Sequence, residues 1–520
     1  MRRWRWLIAL ALVGAACALL GPKVVRQLQK RDKPVLEERP PLQPYVSQEA
    51  YAQQDARRLA LRLQELQAGD RPASDGPAVV MVVLDTFRAD RLLAYGADED
   101  IAPHLNAFAR EATVFTKMRS TGTWTLPSHA SLFTGLYPIE HGARGSPAES
   151  ASRAYALPDG PPTLAERLSE AGWVTVGLAA NRAFLDSAWG LSRGFDVWMC
   201  EDLPARDGLS YPQADRITAL AAATLQLYAL EEREEPLFLF LNYMDAHTPW
   251  IPREGYTANP ERVDPLLLPK GGTWESRGRW RVSRNAVLSQ RREPSPEELA
   301  TWAEAYDAEV RFLDEWFGEL LTALAAAGVG EDDYVVVVSD HGEFLGEHDL
   351  LEHSKDVYEP VLRVPLMIRG PGFAPGEDPR AAQTHDVPNL LLEALGLTPL
   401  SEEDGDPSLQ ISELYWARHR DLKVPDIADR FDRVRRAFVR GAQKLVLTEG
   451  EGADAYDLAS DPDELRSVAG AVGGLGADDW VAPMTAEAER WLSERAAAEG
   501  ADVSLSDEQR DRLRALGYIQ

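Results

Sequence analysis

Asp85, Thr125, Asp340 and His341 are the residues of this 520-residue chain whose types and settings could do chemistry together. Asp85 follows the apolar run AVVMVVL, and Asp340 and His341 follow YVVVVS. Two carboxylates and one imidazole suit a divalent metal. Thr125 opens TLPSHASLFTG, and Pro127 is compatible with the first turn of a helix there. Free backbone N–H groups and the positive end of a helix dipole gather at such a start and hold anions. A hydroxyl at that place beside a divalent cation becomes a usable nucleophile near neutral pH. The competing reading makes Thr125 a plain helix cap. Asn242, Asp245 and His247 end or follow a third run, LFLFLN, so a shared site is favoured over separate turn roles.

Such residues need a scaffold that brings run ends together. Residues 78–84, 173–178, 237–242, 334–339 and 364–368 are short apolar stretches, as in strands buried on both faces of a parallel sheet. Helical segments alternate with them. Thr163 and Glu166 form a capping box for a helix stopping at Gly172, and a long helix runs to Gly328. The fold class is α/β: a mostly parallel central sheet with helices on both faces, plus a small C-terminal α+β subdomain. In such sheets ligands bind outside the carboxyl ends of the strands.

The start of the chain, MRRWRWLIALALVGAACALLG, has a basic head and an apolar run to Leu20. Residues 1–22 are predicted to be a signal peptide or an N-terminal membrane anchor, which puts the protein outside the cytoplasm, in a periplasm or at a cell surface. Residues 23–76 are expected to be a linker and helical stalk. Leu59, Leu63 and Leu66 fall at helical spacing there, and the helix should lie on the main domain. Residues 77–400 are expected to form the catalytic domain and 401–520 the C-terminal subdomain. Cys17 lies in the apolar run, so it and Cys200 form no structural disulfide. The net charge of −28 repels polyanions and argues against nucleic acid as a partner.

The motifs, in order, resemble those of the alkaline phosphatase superfamily in its sulfatase-like branch. VVLDTFRADRLLAYG (82–96) resembles its first metal segment and TWTLPSHASLFTGLYP (123–138) its nucleophile helix. NYMDAHTPW (242–250) resembles a substrate-contacting loop. Residues 336–372 resemble the second metal segment, and AYDLASDPDELRSVA the C-terminal signature. The resemblance implies that Asp85, Thr125, Asp340 and His341 are metal ligands and that Thr125 is the nucleophile. It implies that His247 and His353 touch the ester or leaving group, with a general-acid role open to them. His129 stands where many sulfatases have Arg, and Lys355 lies near the position of a family lysine.

Departures from the pattern narrow the chemistry. Family sulfatases convert Cys or Ser to formylglycine; Thr125 cannot be converted, so no formylglycine is expected. Thr86 replaces a second Asp, and His341 replaces the Asn of Ca²⁺-binding members. One divalent ion, Mn²⁺ or Zn²⁺ rather than Ca²⁺, is the expected cofactor. The pattern resembles single-metal members with a Thr nucleophile, such as phosphoglycerol transferases. The substrate implied is a small anionic ester or phospho-headgroup, phosphate favoured over sulfate. A sulfatase working without formylglycine and a non-catalytic envelope or binding protein are the alternatives.

Four further features have two readings each. Arg277, Arg279, Arg281 and Arg284 belong either to an anion clamp or to a solvated surface loop. His348 and His353 could join Asp245 and His247 in a second metal site, the lesser reading. His385 and Asp386 read as a helix start, and Asn181 either lines the pocket or makes a turn.

Overall fold

The computed structural model describes residues 48–510 and 513, apart from 67–75, 148–153, 201–202, 204–210, 231–234, 252, 270–273, 402–405, 470–479, 496, 499, 504 and 508. The N-terminal apolar run and Cys17 lie outside the described residues. Among those described, no helix is long and apolar enough to cross a membrane.

Eight strands make the central sheet: β1 (Val79–Leu84), β2 (Thr113–Arg119), β3 (Val174–Ala179), β4 (Val197–Met199), β5 (Leu237–Tyr243), β6 (Tyr334–Val338), β7 (Leu366–Arg369) and β8 (Gly376–Gln383). Their order is β8-β2-β7-β6-β1-β5-β3-β4. Only β7 runs antiparallel to its neighbours. Every residue of β1, β3, β5 and β6 is buried, which is why these strands are apolar without alternation.

Two groups of helices flank the sheet. One comprises α1 (Gln48–Glu65), α2 (Pro103–Glu111), α5 (Ala214–Leu230) and α7 (Pro296–Ala326); the other comprises α3 (Thr125–Thr134), α4 (Leu164–Glu170) and α8 (Asp386–Ala394). Thr163 caps α4 through the expected box, its hydroxyl accepting from the Glu166 N–H at 3.1 Å. A second box, Ser295 with Glu298 and Pro296 in the first turn, starts α7. The stalk helix α1 buries Ala56, Leu59 and Leu63 and joins Asp55 to Arg216 of α5. His385 immediately precedes α8, as expected for a helix start.

The basic stretch is not a loop. It forms helix α6 (Trp274–Leu288), with Arg279 and Arg281 exposed and Arg284 buried against Glu352 and Asp421.

Beyond the sheet the chain builds an antiparallel meander of β9 (Leu409–Tyr415), β10 (Val434–Arg440), β11 (Gln443–Thr448) and β12 (Ala453–Asp457). Helix α9 (Val481–Glu494) covers it, burying Met484 and Trp491 with Ile411, Phe438 and Leu445. This sheet docks against the segment that leads into α3: the Glu413 N–H donates to the Thr121 carbonyl at 2.8 Å, and the Ser412 hydroxyl to that of Ser120 at 2.6 Å.

Candidate metal and ester site

Parallel pairing of β1 with β5 and β6 sets Val83 beside Asn242 and Val338, and β3 pairs Ala179 with Asn242. The residues just beyond these strands therefore meet at one edge. Asp85, Asn181, Asp340 and His341 are all fully buried there. One ligand atom from each of Asp85, Asp340 and His341 lies within 4.8 Å of the other two. His341 Nε2 is 3.4 Å from Asp340 Oδ2 and 3.8 Å from Asp85 Oδ1.

Those three atoms are also the ones without a hydrogen-bond partner: Asp85 Oδ1, Asp340 Oδ2 and His341 Nε2. Their companion atoms are engaged. Asp85 Oδ2 accepts from Asn181 at 2.8 Å, and Asp340 Oδ1 accepts from the His341 N–H at 2.8 Å. His341 Nδ1 lies 2.9 Å from the Gly342 carbonyl, which fixes the proton on Nδ1 and leaves a lone pair on Nε2. Burial, with Asp340 close by, holds the Asp85 carboxyl well above its ordinary range. Burial pushes Asp340 the same way but is outweighed by His341 and His129, so it sits low. Two buried carboxylates this close cannot both ionise comfortably without a cation between them. The donor set, its orphaned atoms and the histidine tautomer fit a divalent metal. Among the described residues this is the single such cluster; His348 instead stacks on Tyr358, ring centroids 3.8 Å apart.

Thr125 is the first residue of α3 and fully buried. The plain-cap reading fails, because Trp124 holds the cap position and no side chain caps the helix. The Thr125 hydroxyl instead accepts from Asn181 Nδ2 at 3.1 Å, the same amide that holds Asp85. Asn181 thus does both things its setting allowed: it bridges two site residues, and its Oδ1 accepts from the backbone of Ala183 and Phe184. His129, one turn along α3, sets Nδ1 3.0 Å from the Thr125 carbonyl and 3.4 Å from Asp340 Oδ2.

His247, His353 and His341 form a chain of rings, with centroids 4.8 and 4.5 Å apart. Burial pushes His247 down to about 3 and His353 well below its ordinary value, so both rings are neutral at neutral pH. His353 Nδ1 is 2.9 Å from Glu343 Oε1, and its Nε2 meets the Arg418 guanidinium. Lys355 points behind this row: its ammonium donates to the His353 carbonyl at 3.0 Å and pairs with Asp421 at 2.8 Å. Burial brings it down to about 8. Asp245 is buried beside Arg253, and burial lifts its carboxyl to about 8. Sequence reasoning missed Glu343 and Arg418. Glu343 had a weak signal, two residues past His341; Arg418 had none.

The sulfatase family profile matches residues 77–397. An ulvan-active sulfatase of Formosa agariphila is 27% identical over 382 residues, covering 70% of this chain and 68% of that protein. A choline-sulfatase of Rhizobium meliloti is 25% identical over 360 residues, covering 62% and 68%. The fold is similar to the crystal structure of a phosphonate monoester hydrolase of Agrobacterium radiobacter, with a TM-score of 0.59, 22% identity, and coverage of 81% of this chain and 95% of that one. A profile spanning more than half the chain, on a fold that gathers the matched motifs at one sheet edge, makes this protein a hydrolase of the sulfatase family.

Proposed function

We propose that the protein is an exported, metal-dependent hydrolase or transferase of phosphate or sulfate esters that uses Thr125 as its nucleophile and prefers phosphoesters. The observation that carries this is the Asn181 amide, which ties the Thr125 hydroxyl to Asp85 beside three converging ligand atoms. Asp85, Asp340 and His341 would hold the ion, with Thr125 as a fourth ligand. A divalent ion there supplies charge stabilisation and lowers the pKa of a nearby hydroxyl.

The chain's own groups do the rest. The N–H donated by Asn181 stabilises developing negative charge on Thr125 Oγ, and the start of α3 favours an anion at the same place. Thr125 Oγ attacks phosphorus, the ester oxygen leaves, and water or another alcohol displaces the threonine in a second step. The neutral rings of His247 and His353 would contact the ester or leaving group; with their protons on Nδ1, toward Thr248 and Glu343, they do not donate to the leaving oxygen.

Phosphate is favoured because of how the adduct must be resolved. In formylglycine enzymes the sulfated hemiacetal collapses by breaking a C–O bond. A threonine sulfate has no such exit and needs attack at sulfur in each cycle, whereas a threonine phosphate is resolved by a second displacement at phosphorus. A second reading, direct sulfate hydrolysis without formylglycine, draws on the sulfatases among the relatives. The deciding measurement is kcat/KM for an aryl phosphodiester against the matching aryl sulfate. We expect the phosphodiester to be faster. Thr125→Ala should lose nearly all turnover while keeping metal binding, and Thr125→Ser should keep part of it. A faster sulfate, or activity surviving in Thr125→Ala, removes the nucleophile assignment.

A further inference from the structure

The region beyond the family-matched residues sends one guanidinium into the row of imidazoles. Arg418 is buried, and its NH2 group meets His353 Nε2 and lies 3.2 Å from Nδ1. A guanidinium only donates, so Nε2 is the acceptor and the proton of His353 sits on Nδ1, toward Glu343. The ring that Arg418 touches is itself 4.5 Å, centroid to centroid, from that of His341. A cation therefore faces a neutral ring one residue away from the ligand cluster.

Its neighbours are engaged differently. Arg284 donates to both Glu352 and Asp421, Lys355 pairs with Asp421 at 2.8 Å, and Arg420 with Glu352 at 2.8 Å. Arg418 reaches Glu352, a carboxylate already shared, at 3.5 Å. Arg418, Arg284, Lys355 and Arg420 thus share Glu352, Asp421 and Glu343, whose carboxyl feels Arg418 and Lys355 directly. What sets Arg418 apart is that its NH2 group meets the lone pair of a neutral ring, a weaker partner than an anionic oxygen. Placement is firm: Arg418 closely follows β9, which is hydrogen-bonded to the segment leading into Thr125.

We propose that Arg418 is a substrate-binding residue whose guanidinium exchanges His353 Nε2 for non-bridging oxygens of the phosphate or sulfate group. The inference rests on the ester-transfer reading above and names the group that grips the anionic head. A planar fork matches two oxygens of one such group far better than a single imidazole nitrogen does.

The test is calorimetric titration of inorganic phosphate into full-length protein reconstituted with Mn²⁺. Arg418→Gln should weaken phosphate by about tenfold or more, the scale of a charge-assisted hydrogen bond, with Mn²⁺ affinity unchanged. Arg420→Gln, which removes a cation from the same cluster, should bind phosphate like the native protein. Phosphate affinity preserved in Arg418→Gln overturns the proposal, and so does an equal loss in Arg420→Gln. Should Arg418→Gln fail to fold, Arg418→Lys decides: a point charge in place of the fork should cost about threefold or more, and no loss overturns the contact. Phosphate binding does not require the nucleophile, so Thr125→Ala should bind it normally. Turnover surviving in Thr125→Ala would then retire the nucleophile while leaving Arg418 standing.

Discussion

At the scale of single residues, the site is governed by which atoms have no hydrogen-bond partner. Asp85 Oδ1, Asp340 Oδ2 and His341 Nε2 are left open while their companion atoms are pinned, so the three open atoms converge as a ligand set. Activity should disappear on chelation and return with Mn²⁺ or Zn²⁺ better than with Ca²⁺, which prefers more oxygen ligands. His341→Asn should move that preference toward Ca²⁺; full recovery of the native protein with Ca²⁺ alone would refute the ligand set. A different buried imidazole, His141, affects stability. It accepts from the Ala143 N–H at 3.1 Å through Nδ1, which leaves Nε2 to donate to the Ser131 hydroxyl at 3.2 Å. Burial lowers it from 6.5 to about 3. Its contribution is complete above the unfolded value of 6.5 and is lost as pH falls toward 3, by up to about 1.4 kcal/mol per pH unit. His141→Asn should flatten the decline of Tm across that window, and identical slopes for variant and native protein would rule this out.

At the scale of elements, legibility followed burial. β1, β3, β5 and β6 are covered on both faces, so their apolar runs announced them. β2 exposes Lys117, and edge strand β8 is polar, contains Pro379 and shifts register between Asp378 and Ala381; neither carries the pattern of a buried strand. Capping boxes are local, and the one at Thr163 was readable; the box at Ser295 emerged only with the fold. The leucine spacing of α1 likewise announced a helix, and the fold adds which leucines count. Leu59 is fully buried and Leu61 is 51% exposed. Leu59→Ala should therefore cost about 2–5 kcal/mol, the usual range for a buried leucine. Leu61→Ala should stay within about 0.5 kcal/mol of the native protein in denaturant titrations. Equal effects would mean that α1 does not dock as described.

At the scale of the whole molecule, the export reading rests on the basic head and apolar run of residues 1–22. We propose that residues 1–22 direct export and tether the chain. A reporter fused after Asp75 should be active only outside the cytoplasm, and cytoplasmic activity would count against it. The distribution of the site explains what the sequence left hidden. Asp85, Asp340 and His341 each follow a strand, so their meeting could be inferred from the parallel sheet. Asn181 could be read either as a pocket residue or as a turn, and its amide, which bridges Asp85 and Thr125, shows the pocket role. Arg418 belongs to a region with no local motif, and its contact with His353 spans 65 residues of sequence.

The seam between β9 and the segment before α3 has a consequence for timing. A ribosome delivers Thr125 long before Ser412 and Glu413, yet the backbone at Ser120 and Thr121 is fastened only when those later residues arrive. A chain stalled between His341 and β9 holds every ligand of the metal cluster and still lacks the strand that fastens Ser120 and Thr121. The segment that leads into Thr125 therefore waits on a partner made 292 residues later.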